Sequence, residues 1–195
     1  MKLYFAAAAA ALALLASAPS QAASVMSGGR SNAQDCAMAA GSSSSLTSRS
    51  FNNGIAACNA AMKDDLSHVV MAGVLVNRGI IQASAGHDSD AVADFDAAIA
   101  RDNTLAAAYM NRGTAMLRAS RFNEARSDFD QAINRNAGDL HVAYFNRGEA
   151  QEASGNLLAA YRDYRHAQEL APNFKPASLE LARFQVSERR MADNH

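Results

Sequence analysis

The hydrophobic positions in the C-terminal half of the chain follow the spacing of paired amphipathic helices. Tyr109, Gly113 and Met116 stand at i, i+4 and i+7, which places them on one face of a helix. Ser120 then marks a turn, and a second helical stripe follows it at Phe122, Ala125, Phe129, Ala132 and Ile133. This block therefore predicts a hairpin of two helices.

Two short motifs recur in step with this hairpin. The tripeptide Asn-Arg-Gly occurs at 77–79, 111–113 and 146–148, at intervals of 34 and 35 residues. The same intervals separate three further tripeptides, which are Asp94-Phe95-Asp96, Asp128-Phe129-Asp130 and Asp163-Tyr164-Arg165. A period of 34 residues built from helical hairpins indicates a stacked array of hairpins.

Each of the three units carries a glycine inside its first helix, where glycine costs about 1 kcal/mol relative to alanine. The three glycines are Gly79, Gly113 and Gly148. Because this free-energy cost recurs at the same position of each repeat, we infer that two helices approach closely at the glycine. The small residues expected opposite are Ala91, Ala125 and Ala160.

These units resemble the repeats of the tetratricopeptide repeat (TPR) family. Three repeats are counted, over 72–105, 106–140 and 141–174. The family's large residue early in the first helix is matched by Leu75, Tyr109 and Tyr144, and its aromatic in the second helix by Phe95, Phe129 and Tyr164. The closing proline survives only as Pro172. The resemblance implies an all-α fold, a right-handed superhelical solenoid of antiparallel helix hairpins.

The segments on either side of the repeats are predicted to cap the stack, because a terminal hairpin would otherwise expose its apolar face. Residues 23–71 form an N-terminal cap with a degenerate hairpin, in which Cys58 takes the place of the aromatic. Residues 175–195 form a C-terminal capping helix and tail.

Residues 1–22 have the pattern of a signal peptide. Lys2 precedes an unbroken apolar run over 3–15, and Ser20 and Ala22 provide small residues before the cleavage point. The run of 13 residues is shorter than the roughly 20 needed to span a bilayer as a helix. We expect export from a bacterial cell, with the periplasm favoured over the extracellular medium and no stable membrane span after cleavage. The alternative is an uncleaved N-terminal anchor helix.

The predicted export bears on the redox state of the two cysteines. Cys36 and Cys58 are the only cysteines of the chain, and in an oxidising compartment such a pair forms a disulfide. The alternative is two free buried thiols. A disulfide would join the two helices of the N-terminal cap.

Charge and motif content exclude several functional classes. With 18 basic and 19 acidic residues, the chain has no basic footprint for nucleic acid. It contains no zinc-protease, hydrolase, phosphate-loop or dinucleotide-binding motif, and its five histidines share no metal-ligand spacing. We therefore expect no enzymatic activity, no cofactor and no metal, and a protein or peptide as the partner.

The resemblance implies that the first helices line a concave groove. The predicted groove residues are Asn77, Asn111, Asn146, Val76, Met110, Phe145, Ile80, Thr114 and Glu149. An asparagine amide offers both a donor and an acceptor, so it can hold a peptide backbone as in the family's asparagine ladders. The alternative is that each asparagine bonds the neighbouring helix and only positions the stack.

Two further expectations concern the ends of this groove. The carboxylate clamp of TPR co-chaperones is not matched, because Val76 and Ile80 hold two of its positions. The apolar N-terminal groove therefore predicts a partner with apolar anchors. Glu149 and Glu152 at the other end favour a basic residue in that partner.

The arginines of the Asn-Arg-Gly motif are predicted to form structural ion pairs. They are Arg78, Arg112 and Arg147, and their expected partners, in the same or the adjacent repeat, are Asp94, Asp128 and Asp163. Two functional hypotheses follow from the whole pattern. The favoured one is a protein-binding adaptor of the cell envelope, and the other is a structural or assembly subunit that self-associates into homo-oligomers.

Overall fold

The computed structural model of the protein describes residues 31–42 and 47–192, and for 185–192 it describes the backbone alone. The signal peptide predicted over 1–22 lies outside the described residues, as do the start of the N-terminal cap at 23–30 and the tail at 193–195.

Within the described part of the chain, all regular structure is helical. Nine helices follow one another as α1 (Asn32–Gly41), α2 (Ser48–Ala61), α3 (His68–Ser84), α4 (Asp88–Arg101), α5 (Ala106–Arg118), α6 (Phe122–Asn134), α7 (Leu140–Ala153), α8 (Leu157–Leu170) and α9 (Lys175–Ala192). The first eight pack as four consecutive hairpins, and α9 packs against α8. The all-α hairpin array predicted from the sequence is confirmed.

Helices α1 and α3 each begin after a serine whose side chain caps the helix. Ser31 accepts a hydrogen bond from the backbone N–H of Gln34, whose side chain accepts from the backbone of Ser31, and this reciprocal pair starts α1. Ser67 caps α3 in a similar way through the N–H of Val70. Helix α3 therefore begins at His68, before the repeat boundary predicted at 72.

The turns inside the repeats need a left-handed backbone. Gly86 and Gly155 have φ values of 82° and 83°, and Ser120 holds the same place in the second repeat at φ 59°. Glycine adopts this region without steric cost, whereas serine does so at some cost in strain. The second repeat therefore keeps the turn without the residue that suits it best.

The glycine of each first helix faces the aromatic ring of the second helix. A Cβ atom added to Gly79 would lie 2.6 Å from Cε1 of Phe95, and one added to Gly148 would lie 2.7 Å from Cε1 of Tyr164. At Gly113, the carbonyl oxygen of Ala125 is also near, at 3.2 Å from such an atom. The nearest neighbour of each glycine is thus the aromatic ring. The alanine predicted to lie opposite is near only at Gly113, through its carbonyl oxygen.

Replacing Gly79 with alanine is expected to lower the free energy of unfolding by about 1–2 kcal/mol. The added methyl group must displace the fully buried ring of Phe95, which costs about 1–3 kcal/mol, and the better helix propensity of alanine offsets part of that. Urea unfolding followed by circular dichroism measures the difference. Gly41→Ala is the matched control, since no atom of the described residues lies within 4 Å of its Cβ position. An equal loss in the control would contradict the steric explanation.

The N-terminal hairpin is joined by a disulfide between Cys36 of α1 and Cys58 of α2, and both cysteines are fully buried. The Sγ atom of Cys36 lies 3.7 Å from the carbonyl oxygen of Val74 on α3. Both α1 and α2 pack on α3, and the two cysteines belong to the same apolar cluster as Val74 and Ile81. The disulfide therefore fixes the cap on which the first repeat rests.

The C-terminal helix covers the last repeat. Ala177 and Leu181 of α9 are buried in a cluster with Phe145 of α7 and Tyr164 of α8. Phe174, just before α9, packs edge-on against Phe145 with ring centroids 5.3 Å apart. Helix α9 thus occupies the position of a further first helix in the stack.

Candidate peptide-binding groove

The motif arginines form a ladder of ion pairs inside the stack. Arg112 donates two parallel hydrogen bonds to Asp128, from Nε at 2.8 Å and from Nη2 at 2.6 Å. Arg78 binds Asp94 in the same bidentate way, and so does Arg147 with Asp163. The structure thus joins each predicted arginine to the aspartate of its own repeat. Fork-to-fork pairs of this kind fix geometry as well as charge.

Each arginine also reaches back to the preceding hairpin through Nη1. Arg112 donates to Asp96 at 2.5 Å, and Arg147 donates to Asp130 at 2.7 Å. Arg78 donates to the neutral side chain of Asn59 on α2 at 2.6 Å. The second acid of the repeated tripeptide therefore links successive repeats, a role that the sequence reasoning missed although the tripeptide itself was visible.

The two kinds of aspartate differ in burial. Asp94, Asp128 and Asp163 are buried, whereas Asp96 is exposed and Asp130 is half-buried. The pKa of Arg112 lies above its ordinary value, first because Asp128 accepts its hydrogen bonds and against the opposing effect of burial. Arg112 therefore stays charged, and the buried aspartates of the ladder are inaccessible to a ligand.

The three asparagines do not form one exposed ladder. Asn77 and Asn146 are buried, and Asn146 directs Nδ2 at 3.5 Å toward Oγ1 of Thr114 on α5. Asn111 is only partly buried, and its Nδ2 donates to the carbonyl oxygen of Ala107 at 2.8 Å. Asn146 therefore contacts the neighbouring first helix, as the alternative interpretation requires, while the side-chain oxygen of Asn111 accepts no hydrogen bond from another described residue.

Three predicted groove residues are packing residues in this structure. Val76, Ile80 and Phe145 are 4%, 4% and 2% exposed. Val76 and Ile80 belong to the cluster that includes the N-terminal hairpin, and Phe145 lies under α9 and Phe174. The segments at both ends of the stack cover these side chains in the structure, and their part in the peptide-contacting surface stays a prediction.

The predicted groove residues that retain exposed surface are Met110, Asn111, Thr114 and Glu149. The first three lie on α5, in the second repeat, and Thr114 also donates its hydroxyl to the carbonyl oxygen of Met110. The accessible part of the predicted groove is thus its middle, and it offers one apolar side chain beside two polar ones.

The C-terminal end of the groove contains acidic side chains and one arginine that binds them. Arg183 of α9 donates to both carboxylate oxygens of Glu152 on α7, at 2.5 and 2.6 Å, and also binds Glu180. Tyr164 donates its hydroxyl to Glu152 at 2.9 Å. Burial, followed by the charges of Glu180 and Glu152, raises the pKa of Glu149 to about 7. The basic residue expected of a partner near Glu152 is thus supplied by the chain itself.

Two further findings bear on function. None of the helices in the described segments has the length and apolar character needed to cross a bilayer. Among the same residues, no group of three or more histidine, cysteine, aspartate or glutamate side chains is placed to hold a metal ion.

The chain resembles known proteins in one of its repeats and in its fold. The family model described as "Tetratricopeptide repeat" matches residues 141–174, which are those of the third predicted repeat. No curated protein sequence gives a significant match. Among solved structures, similarity extends to many chains, and three of these represent them.

The first of the three is the first TPR domain of Spaghetti (RPAP3) bound to an HSP90 peptide. It is 28% identical with a TM-score of 0.59, and the match covers 62% of this chain and 95% of that domain. The second is the second TPR domain of human RPAP3 in complex with an HSP70 peptide, 28% identical with a TM-score of 0.55, over 60% of this chain and 95% of that one.

The third is MamA from Desulfovibrio magneticus RS-1, which is 17% identical with a TM-score of 0.65 over 80% of this chain and 86% of that one. A likeness at this identity concerns the fold. The family match shows that residues 141–174 are a tetratricopeptide repeat, and the structural neighbours show that the chain has the fold of a TPR solenoid.

Proposed function

We propose that the protein is a non-enzymatic interaction module of the cell envelope, and that it binds an extended or helical peptide segment of a partner protein in the groove of its repeats. The observation that most supports this proposal is that Met110, Asn111 and Thr114 on α5 are partly exposed. The predicted groove residues on either side of them, in the first and third repeats, are largely buried. The peptide complexes of the RPAP3 domains, which have the same fold, support a peptide as the ligand.

The ligand proposed here differs from a chaperone C-terminus. The family's clamp needs polar or basic side chains at the positions of Val76 and Ile80, which here are apolar and buried. We therefore propose an internal segment in which an apolar anchor contacts Met110, while a backbone N–H binds the side-chain oxygen of Asn111.

The envelope location is supported by two features of the chain. Residues 1–22 have the signal-peptide pattern, and Cys36 and Cys58 form a disulfide, a bond that persists in oxidising compartments. Together they favour a mature protein that works outside the cytoplasm, in the periplasm.

A library of displayed peptides tests the proposed groove. We expect selected peptides to bind the mature protein at least tenfold more weakly after the double change Met110→Ala and Asn111→Ala, measured by fluorescence anisotropy, because both the anchor contact and the amide are lost. The matched control is Met38→Ala with Asn123→Ala, which makes the same two changes at exposed positions of α1 and α6. Equal affinity of the groove variant and the wild type would show that the groove is not the binding surface.

Exposed leucines favour a second candidate function, a structural subunit that self-associates. They are Leu157, Leu158, Leu170 and Leu179, and all belong to α8 and α9. Apolar side chains concentrated at one end of a molecule are typical of an interface. Light scattering over a range of concentrations separates the two candidates, since a monomer at every concentration favours the peptide-binding module and a concentration-dependent oligomer favours the subunit.

A further inference from the structure

Helices α5, α7 and α9 are joined along the predicted groove by two polar contacts. Asn146 of α7 directs Nδ2 toward Oγ1 of Thr114 on α5, at 3.5 Å. Further along α7, the two carboxylate oxygens of Glu152 accept hydrogen bonds from Nη2 of Arg183 on α9, at 2.5 and 2.6 Å. The three helices therefore lie side by side, and the groove surface of α5 and α7 continues onto α9.

Helix α9 also keeps the register of the repeats. Ala108 of α5 is fully buried in the cluster of Phe95 on α4, and Ala177 of α9 is fully buried in the cluster of Tyr164 on α8. Each alanine follows its aromatic residue at the same interval of 13 residues. Equivalent positions of α5 and α9 thus face the preceding hairpin, so the positions next to them face the groove in both helices.

Leu179 is the residue that this register places in the groove on α9. It follows Ala177 by two positions, as Met110 follows Ala108 on α5. It also precedes Arg183 by one turn, so both residues lie on the face of α9 that contacts the groove side of α7. Its side chain is 69% exposed, the largest fraction among the large apolar side chains of the described residues. The groove therefore offers a second apolar side chain at its C-terminal end.

Acidic side chains lie between these two apolar positions. Glu149 is partly exposed on α7, one turn before Glu152, and it forms no hydrogen bond or ion pair with another described residue. Glu152 and Glu180 are both bound by Arg183. Among the described residues, three carboxylates thus accompany one guanidinium at this end. Their charge favours a basic group in whatever binds there.

We propose that the partner segment lies across α5, α7 and α9, with one apolar side chain on Met110, a second on Leu179 and a basic side chain facing Glu149 between them. This proposal rests on the peptide-binding function proposed above and adds to it the second anchor and the charge of the partner. Packed helices lie about 10 Å apart, so the two anchors are about 20 Å apart, a span that about six residues of extended chain cover.

The peptides selected on the mature wild type test the second anchor. We expect them to share two apolar positions about six residues apart, with lysine or arginine between them. Leu179→Ala should weaken their binding about fivefold in fluorescence anisotropy, because an apolar contact at the end of the groove is lost. A peptide with alanine at the second apolar position should bind the wild type and this variant equally. Leu158→Ala is the matched control, since Leu158 is 64% exposed on α8, a second helix of a hairpin.

A charge change tests the basic residue. The measurement is made at pH 8, because burial, followed by the charges of Glu180 and Glu152, raises the pKa of Glu149 to about 7. Glu149→Gln should weaken a lysine-containing peptide about threefold and leave unchanged the same peptide with glutamine in place of lysine. The control is Glu169→Gln, which removes an exposed acid of α8 that pairs with Arg165 and His166.

The possible outcomes separate this inference from the function on which it rests. Peptides that lose affinity for the Met110→Ala and Asn111→Ala variant but bind Leu179→Ala like the wild type would overturn the second anchor and leave the peptide-binding function in place. An equal loss in Leu158→Ala, or no effect of Glu149→Gln on the lysine peptide, would also overturn the proposal. So would a concentration-dependent oligomer that Leu179→Ala abolishes in light scattering, because a second copy of the chain would then occupy this face.

Discussion

Replacing Asp128 with alanine is expected to lower the free energy of unfolding by about 3 kcal/mol. Asp128 is buried and receives two hydrogen bonds from Arg112, so its loss leaves a guanidinium without its main partner. Breaking a buried pair from one side costs about 3–5 kcal/mol. The lower end applies here because the Arg112 side chain is 20% exposed and keeps Asp96. Urea unfolding followed by circular dichroism measures the change.

Asp96→Ala is the matched control on the same arginine. Its side chain is 54% exposed and its bond to Arg112 lies near solvent, so the expected loss is below about 1 kcal/mol. A double-mutant cycle with Arg112→Met then isolates the coupling between Arg112 and Asp128. Equal losses from Asp96→Ala and Asp128→Ala would show that burial does not decide the strength of these contacts.

The ladder also explains why the repeats stack in one register. Each arginine binds an aspartate of its own hairpin and a polar residue of the preceding one, so intra-repeat and inter-repeat contacts share one side chain. At the last repeat, the position equivalent to Asp96 and Asp130 is occupied by Arg165, which pairs with Glu169 within α8. The charge pattern that joins successive repeats therefore ends at α8, where α9 follows.

The sequence predicts the fold well because the signals that define it are local and periodic. Helical spacing, a 34-residue period and a glycine at one register position are visible without knowledge of the neighbours. The pairing of Arg112 with Asp128 is of the same kind, since a fixed sequence interval places both residues on facing helices of one hairpin. Cys58 likewise shares its register position with Phe95.

The accessible surface was harder to predict because it depends on segments that do not repeat. Val76 and Phe145 hold the same register position as Met110, yet they are buried under caps whose packing the repeat pattern does not describe. The charge of Glu180, which raises the pKa of Glu149, belongs to a helix some thirty residues away. A repeat motif thus specifies contacts between equivalent positions, and the end segments decide which of those positions a ligand can reach.

The disulfide gives the second large expected effect. Replacing Cys36 and Cys58 together by alanine is expected to lower the free energy of unfolding by about 3 kcal/mol, because the bond closes a segment with a sequence separation of 22 residues and so restricts the unfolded chain. The loss should be centred on α1 and α2, whose core is made largely of alanine and cysteine. Urea unfolding of the mature protein gives the total, and hydrogen exchange locates it.

Wild type refolded under reducing conditions is the control that separates the bond from the side chains. It keeps both sulfur atoms and lacks only the covalent link, so its unfolding midpoint should fall close to that of the double alanine variant. We further expect α1 and α2 to lose protection first, whereas the ladder built on Arg112 and Arg147 should hold α5 to α8 together. A midpoint that reduction leaves unchanged would mean that the apolar contacts of the cap with Val74 and Ile81 suffice to hold it. The disulfide would then have no role in supporting the first repeat.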